Sequence, residues 1–204
     1  MRSRIIFYLI ILLGLMASSC VSQGLFPKAG PLKEIEVSGE GNYKILVVEI
    51  SGLLTSSRPN NLIDRLFNRP SLPTRLKEEL FNAAEDEKVK GIVLRINSPG
   101  GTVTASDILH HEVLEFKKKR KIPVVACIMD IGTSGGYYLA SASDHIVAHP
   151  SAVTGSIGVI MLTINGSGLM EKIGLEAHAI TSGQHKDMGS PFRKMTAQDQ
   201  AMEI

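Results

Sequence analysis

Short apolar runs alternate with segments of helical spacing along most of this chain. Residues 44–50, Lys44-Ile-Leu-Val-Val-Glu-Ile50, form a β-branched run between Gly41-Asn42 and Ser51-Gly52 and predict a first strand. Residues 73–86 place Leu76, Leu80, Phe81 and Ala84 at helical spacing and predict a helix. Residues 89–96 are nearly all apolar, as in a buried parallel strand, and Asn97-Ser-Pro-Gly-Gly101 ends them. A second helix is predicted over 105–118, along Ile108, Leu109, Glu112 and Phe116. Its C-terminal end carries the basic residues Lys117 to Lys121, where cations suit the helix dipole. Residues 123–129 predict a third strand, ended by Gly132-Thr-Ser-Gly-Gly136, and a helix starts over 137–143. A fourth short strand follows at 145–149, then Gly155-Ser-Ile-Gly-Val-Ile160, a helix around 169–173 and a strand over 177–181. Residues 55–71 are polar and rich in Pro and Asn, with a small apolar patch at Leu62, Ile63 and Leu66, and predict a loop or short surface helix. The alternation of strand and helix predicts an α/β fold with a largely parallel sheet.

The first residues have a different pattern. Met1-Arg-Ser-Arg4 is positive, residues 5–16 are an unbroken apolar run, and Ala17-Ser18-Ser19 precede Cys20. This is the layout of a secretory signal. The apolar run is short of the ~20 residues that span a bilayer as a helix. Small residues before a cysteine look like a bacterial lipobox, with Cys20 as the lipidated residue, although Ala17 stands where such boxes more often have Leu. An uncleaved anchor and an ordinary cleaved signal are the two other readings. All three place the body outside the cytoplasm at a membrane. The expected organisation is an anchor over 1–20, a Gly-, Pro- and Ser-rich tether over 21–43 and one folded domain over 44–204. Thr196 is an expected N-cap with Asp199 in the first turn, so a helix opens about two turns before Ile204. The expectation there is a shortened version of a longer protein.

Composition narrows the function classes. With 44% hydrophobic and 21% charged residues in a chain of 204, the sequence is that of a globular domain with a sizeable core. Without Arg2 and Arg4, the basic and acidic side chains balance at 20 each, so no basic excess remains to hold a phosphate backbone. Two cysteines make no disulfide framework, and Cys127, inside an apolar run, is expected to be a buried, inert thiol. No metal and no cofactor is expected. His145 and His149 flank a strand, where four-residue spacing does not bring them together, and His110 and His111 belong to a solvated helix face.

The chemistry concentrates in the two glycine-rich breaks. In a parallel sheet, ligands bind at loops beyond the carboxyl ends of strands, and each break is followed by a helix whose first N–H groups are free. Two such loops side by side would form an oxyanion hole. One of them contains Ser134, flanked by Gly135 and Gly136. A nucleophilic serine needs a base, and none of the six histidines has a triad-like setting. A lysine serves when its pKa falls toward neutrality. Lys186 directly follows the strand expected over 177–181. Taken singly, a Ser-Gly-Gly turn and a surface lysine are more often without chemistry.

Four segments taken together change that balance. Asn97-Ser-Pro-Gly-Gly101, Ser134-Gly-Gly-Tyr-Tyr138, Thr154-Gly-Ser-Ile-Gly-Val-Ile160 and Ser182-Gly-Gln-His-Lys-Asp187 with Ser190-Pro-Phe-Arg193 resemble, in order and spacing, the short form of the signal peptide peptidase A family. The resemblance covers about residues 44–200 and implies the α/β fold shared by Clp proteolytic subunits and crotonases. It implies Ser134 as nucleophile and Lys186 as general base. It also implies oxyanion donors from Gly135 and the Gly100/Gly101 loop, and Ser156 as a hydroxyl that orients the lysine amine. It further implies homo-oligomeric, membrane-associated assembly, active sites between protomers, and hydrophobic peptide substrates such as signal-peptide remnants.

Two other readings remain. One is a non-catalytic, shortened family member acting in assembly or interaction. The other is an acyl-CoA enzyme of crotonase type, which the export signal opposes because CoA chemistry is cytosolic. The peptidase reading predicts activity that rises with pH as Lys186 loses its proton.

Overall fold

A computed structural model describes residues 34–58, 70–183 and 185–201. The chain divides into two compact units, Met1–Gly158 and Val159–Ile204. The expected anchor with Cys20, most of the tether and the patch at Leu62, Ile63 and Leu66 lie outside the described residues. Residues 34–43 carry no strand or helix.

The first unit is built in strand–helix repeats: β1 (Lys44–Ser51), α1 (Leu72–Glu85), β2 (Val89–Ser98), α2 (Val103–Arg120), β3 (Val124–Thr133), α3 (Gly135–Ala140), β4 (His145–Ala148) and β5 (Val153–Gly155). The strands lie side by side in the order β1-β2-β3-β4, and β5 pairs with the far end of β3. Every pairing is parallel. The parallel α/β architecture read from the strand–helix alternation is therefore the one observed.

Alternation along the strands settles which face is core. Val48 and Ile50 of β1, Ile92, Leu94 and Ile96 of β2, and Val124, Ala126 and Ile128 of β3 are buried. They pack against Leu76 and Leu80 of α1, Leu109, Val113 and Phe116 of α2, and Leu139 of α3 in one cluster. The three helices form one layer, α1 against α2 and α2 against α3. Residues on the other face, such as Val93, Val125 and Cys127, are only half-buried. Cys127 is therefore not the fully buried thiol expected from its apolar surroundings: the strand pleat points it away from the helices.

The basic end of α2 does more than balance a dipole. Arg120 donates to the carbonyls of Ala84, Asp86 and Val89 at 3.1 to 3.3 Å, satisfying the C-terminus of α1 and the turn into β2. Lys117 reaches the Ala142 carbonyl and the Asp144 carboxylate, both at 2.9 Å. The helix spacing over 73–86 holds with one correction: Leu76, Leu80 and Ala84 are buried, joined by Ala83, while Phe81 is 62% exposed. Phe81 instead lies under the Lys119 ammonium, 5.8 Å from its ring centroid.

The second unit contains α4 (Ser167–Lys172) and α5 (Ala197–Ala201). The strand expected over 177–181 is absent: those residues are exposed and without regular structure, and no described strand pairs with them. The N-cap expected at Thr196 is present as a reciprocal box. Thr196 Oγ1 accepts from the Asp199 N–H at 3.1 Å, and Asp199 Oδ2 accepts from the Thr196 N–H at 2.9 Å. Among the described residues no helix is long and apolar enough to cross a membrane.

Candidate active site

The expected site residues fall in both units. Gly100, Gly101, Ser134, Gly135 and Ser156 belong to the first, and Lys186 belongs to the second.

β3 runs on to Thr133, further than its apolar run suggests, because its end pairs with β5. α3 starts at Gly135, and Ser134 is the single residue between strand and helix. Its backbone stands at φ 50° and ψ −122°. A non-glycine residue at positive φ is strained by roughly 1–3 kcal/mol and persists only where its surroundings hold it. Two hydrogen bonds hold it here. The Ser134 N–H donates to the Gly155 carbonyl at 2.8 Å, and the Ser134 carbonyl accepts from the Tyr138 N–H at 2.9 Å. Such a strand–turn–helix elbow presents a serine hydroxyl at the carboxyl end of a sheet. The side chain is half-buried, and its Oγ has no hydrogen-bond partner among the described residues of its unit.

The second glycine-rich turn is pressed against the first. A Cβ placed on Gly100, whose φ is 94°, would lie 2.7 Å from the Gly135 nitrogen and 2.9 Å from Ser134 Cβ. A Cβ on Gly135 would lie 2.0 Å from Ser106 Oγ and 3.5 Å from the Gly101 nitrogen. Only glycines allow the two turns to approach this closely. The Gly101 turn is anchored from the segment that follows β1: Leu54 forms a parallel bridge with Gly101, its N–H donating to the Gly100 carbonyl at 2.8 Å. The Leu54 carbonyl in turn accepts from the Thr102 N–H at 2.9 Å.

Of the amides in this cleft, that of Gly100 is engaged, donating to Ser98 Oγ at 3.1 Å. The N–H groups of Gly101 and Gly135 donate to no acceptor among the described residues. Gly135 opens α3, so its N–H has no intrahelical partner by construction. The first unit thus brings together a serine hydroxyl and two unengaged backbone donors from different turns. That set can bind a carbonyl oxygen beside a nucleophile.

Several supporting residues escaped the reading of the sequence. Ser98 is fully buried, donates to the Gly52 carbonyl at 2.6 Å and accepts from Gly100. Its signal was present: it continues the inward series Ile92, Leu94, Ile96 as a polar residue at an apolar position. Asn97 joins the same loops, donating to Asp130 Oδ2 at 2.9 Å and accepting from the Ile131 N–H at 3.2 Å. Tyr138 donates to Asp107 Oδ1 at 3.1 Å, which pushes its phenol pKa up, and stacks on His110 at 4.2 Å between ring centroids. Burial in that stack lowers the His110 pKa, so this histidine is not on the solvated face expected for it. Among the described residues no group of His, Cys, Asp or Glu has the arrangement of a metal site.

Ser156 is exposed, with φ 51°, and follows the Gly155 carbonyl that receives the Ser134 N–H. Lys186 sits in a run of turns in which Lys186, Met188 and Ser190 donate to the carbonyls of Gly183, His185 and Asp187 at 3.0 to 3.3 Å. Its side chain is exposed and forms no ion pair among the described residues of its unit.

Comparison with known proteins agrees with these motifs. The sequence profile of peptidase family S49 matches residues 116–203. The chain is similar to the "Putative signal peptide peptidase SppA" of Enterococcus faecium, 37% identical over 79% of this chain and 46% of that protein. It is also similar to "Serine protease SPPA, chloroplastic" of Arabidopsis thaliana, 37% identical over 56% of this chain and 16% of that protein. The chain thus spans half or less of the length of these relatives. Among solved structures, a mutant of the 1510-N membrane-bound stomatin-specific protease is similar at a TM-score of 0.47, with 19% identity over 61% of this chain and 52% of that chain. The motif order, the profile match over residues 116–203 and the identities to these relatives agree in making the chain similar to signal peptide peptidase A proteins of peptidase family S49.

Proposed function

We propose that the chain is a serine endopeptidase working through a Ser–Lys dyad, with Ser134 as nucleophile and Lys186 as general base. The observation that carries the reading is the strained Ser134 elbow facing the unengaged N–H groups of Gly101 and Gly135. The neutral amine of Lys186 takes the Ser134 Oγ proton as Oγ bonds to the substrate carbonyl carbon. The developing oxyanion accepts from Gly101 and Gly135. Collapse breaks the C–N bond, and the leaving amine receives the proton from Lys186. Water, deprotonated in turn by Lys186, hydrolyses the acyl-enzyme. Ser156, next to the carbonyl that fixes Ser134, orients the lysine amine. No cofactor takes part.

The substrates we propose are hydrophobic peptides at a membrane surface, including signal-peptide remnants. Cys20 is a lipidation site that holds the domain outside the cytoplasm, and the active unit is a homo-oligomer. The motifs of residues 1–20 and the family relationship support these points.

The exposure of Lys186 favours a second reading, a non-catalytic assembly protein, because the base of a catalytic dyad works in a site shielded from water. Labelling by a serine-reactive fluorophosphonate separates the two. The peptidase reading expects labelling that Ser134→Ala and Lys186→Ala both abolish. An unlabelled wild-type protein would favour the assembly reading.

A further inference from the structure

Arg193 belongs to the motif Ser190-Pro-Phe-Arg193, which the dyad leaves without a role. Its guanidinium grips Asp187 side-on, Nε to Oδ2 at 2.8 Å and Nη2 to Oδ1 at 2.9 Å. Nη1 donates to Asp199 Oδ2 at 2.6 Å and to the Lys194 carbonyl at 3.1 Å. The arginine's own backbone is fixed as well: its carbonyl accepts from Asn165 Nδ2, and the neighbouring Pro191 carbonyl accepts from the Gly166 N–H at 2.8 Å. Asp199, 2% exposed at its side chain, is held in the capping box with Thr196.

Asp187 directly follows Lys186. Neighbouring Cα atoms are about 3.8 Å apart, so an unengaged Asp187 carboxylate has the Lys186 ammonium within reach. That pairing favours the charged form of the lysine, and a protonated lysine accepts no proton. In the structure both Asp187 oxygens are taken by Arg193, and Lys186 has no ion pair among the described residues of its unit. Asp199 of α5 is bound by Arg193 and Thr196, and His185 Nδ1 lies 3.5 Å from Asp199 Oδ1.

We propose that Arg193 is a positioning residue that sequesters Asp187, keeping the adjacent carboxylate off Lys186 so that the amine can shed its proton. The inference rests on Lys186 being the general base. It also accounts for an arginine at 193: only the planar fork occupies both carboxylate oxygens while leaving a third nitrogen for Asp199.

The test reads Lys186 directly, by trace acetylation of its amine across the alkaline range with mass-spectrometric quantification, alongside the rate of Ser134 labelling by fluorophosphonate. Arg193→Gln should raise the Lys186 pKa by about one unit, and Arg193→Lys should raise it by less. Ser134 labelling at neutral pH should then slow about tenfold in Arg193→Gln while reaching the wild-type rate at high pH. Adding Asp187→Asn should return both readouts toward wild type. A Lys186 titration unmoved by Arg193→Gln, or a shift that Asp187→Asn does not reverse, overturns the proposal. Should circular dichroism show Arg193→Gln unfolded, Arg193→Lys carries the same criterion. A lysine titration that moves and reverts while Ser134 labelling follows neither change shows that Arg193 holds Asp187 off Lys186 but removes the dyad, and with it the catalytic role given to Arg193.

Discussion

The Thr133 hydroxyl donates to the Pro99 carbonyl at 3.1 Å, tying the turn that carries Ser134 to the turn that carries Gly101. Both residues sit at the carboxyl ends of neighbouring strands, and Thr133 is buried. The bond therefore fixes the separation between hydroxyl and oxyanion donors rather than the stability of either strand. Thr133→Val keeps the shape and removes the donor. It should lower stability by about 1 kcal/mol, the net worth of one hydrogen bond. Ser134 labelling should slow by a larger factor than the stability loss accounts for. Denaturant melts and labelling rates measured on the same preparation check the difference.

Gly135 allows no side chain. A Cβ there would lie 2.0 Å from Ser106 Oγ and 2.9 Å from Ser106 Cβ, inside a helix layer with no slack. Gly135→Ala should cost about 1–3 kcal/mol through overpacking and abolish Ser134 labelling by moving an oxyanion donor. Adding Ser106→Ala removes the shorter contact and leaves the longer one. The double variant should therefore recover part of the stability, as read by thermal melting.

The same spacing that identified α1 misassigned one of its residues. Leu80 is 4% exposed and Phe81 is 62% exposed, although both fit a helical stripe. Leu80→Ala should cost about 2–5 kcal/mol, as cavity-forming substitutions do. Phe81→Ala should stay within about 0.5 kcal/mol, the range of surface changes. Chemical denaturation of the two variants measures the contrast.

That contrast separates what the apolar pattern of the chain determines from what only packing determines. Strands β2 and β3 were legible because buried parallel strands are written as apolar runs such as those through Leu94 and Ala126, whereas β1 and the exposed β4 were legible from short β-branched runs between turn residues. β5 was not, because its three residues, Val153–Gly155, are defined only by pairing with the end of β3. Residues 177–181 carry the composition of a strand, yet Ile180 is fully exposed and no described strand pairs with them. Propensity without a ladder leaves extended chain. At the site, Ser134 and its glycines were legible as a motif. Ser98, Leu54 and Thr133 were not, because their contribution is a hydrogen bond to a backbone carbonyl or amide distant in sequence. Lys186 was named from its motif, but Asp187 and Arg193 acquire a role only once the fork between them is seen.

Acid should act on the second unit through that fork. Hydrogen bonds from Arg193 hold the carboxyl of Asp199 far below the ordinary range, helped by the Thr196 amide, and they hold that of Asp187 below it too. Arg193 itself is held further toward its charged form by the two carboxylates. A carboxylate whose pKa is depressed on folding contributes stability that is fully present above its unfolded value, ordinarily about 3.9 for Asp, and is lost as pH falls below that value toward the folded one. The contribution is thus constant at neutral pH and declines only in strong acid. The protection of amides in α5, taken relative to the intrinsic exchange rate at each pH, should hold down to about pH 4 and fall below it. In Arg193→Gln the two carboxyl groups return toward ordinary values, so the same amides should be less protected at every pH and their protection should lose much of that acid dependence. Exchange in α2, which contains neither carboxylate, serves as the internal reference. An acid profile identical in α2 and α5 would mean that the Arg193 cluster does not set the stability of its unit.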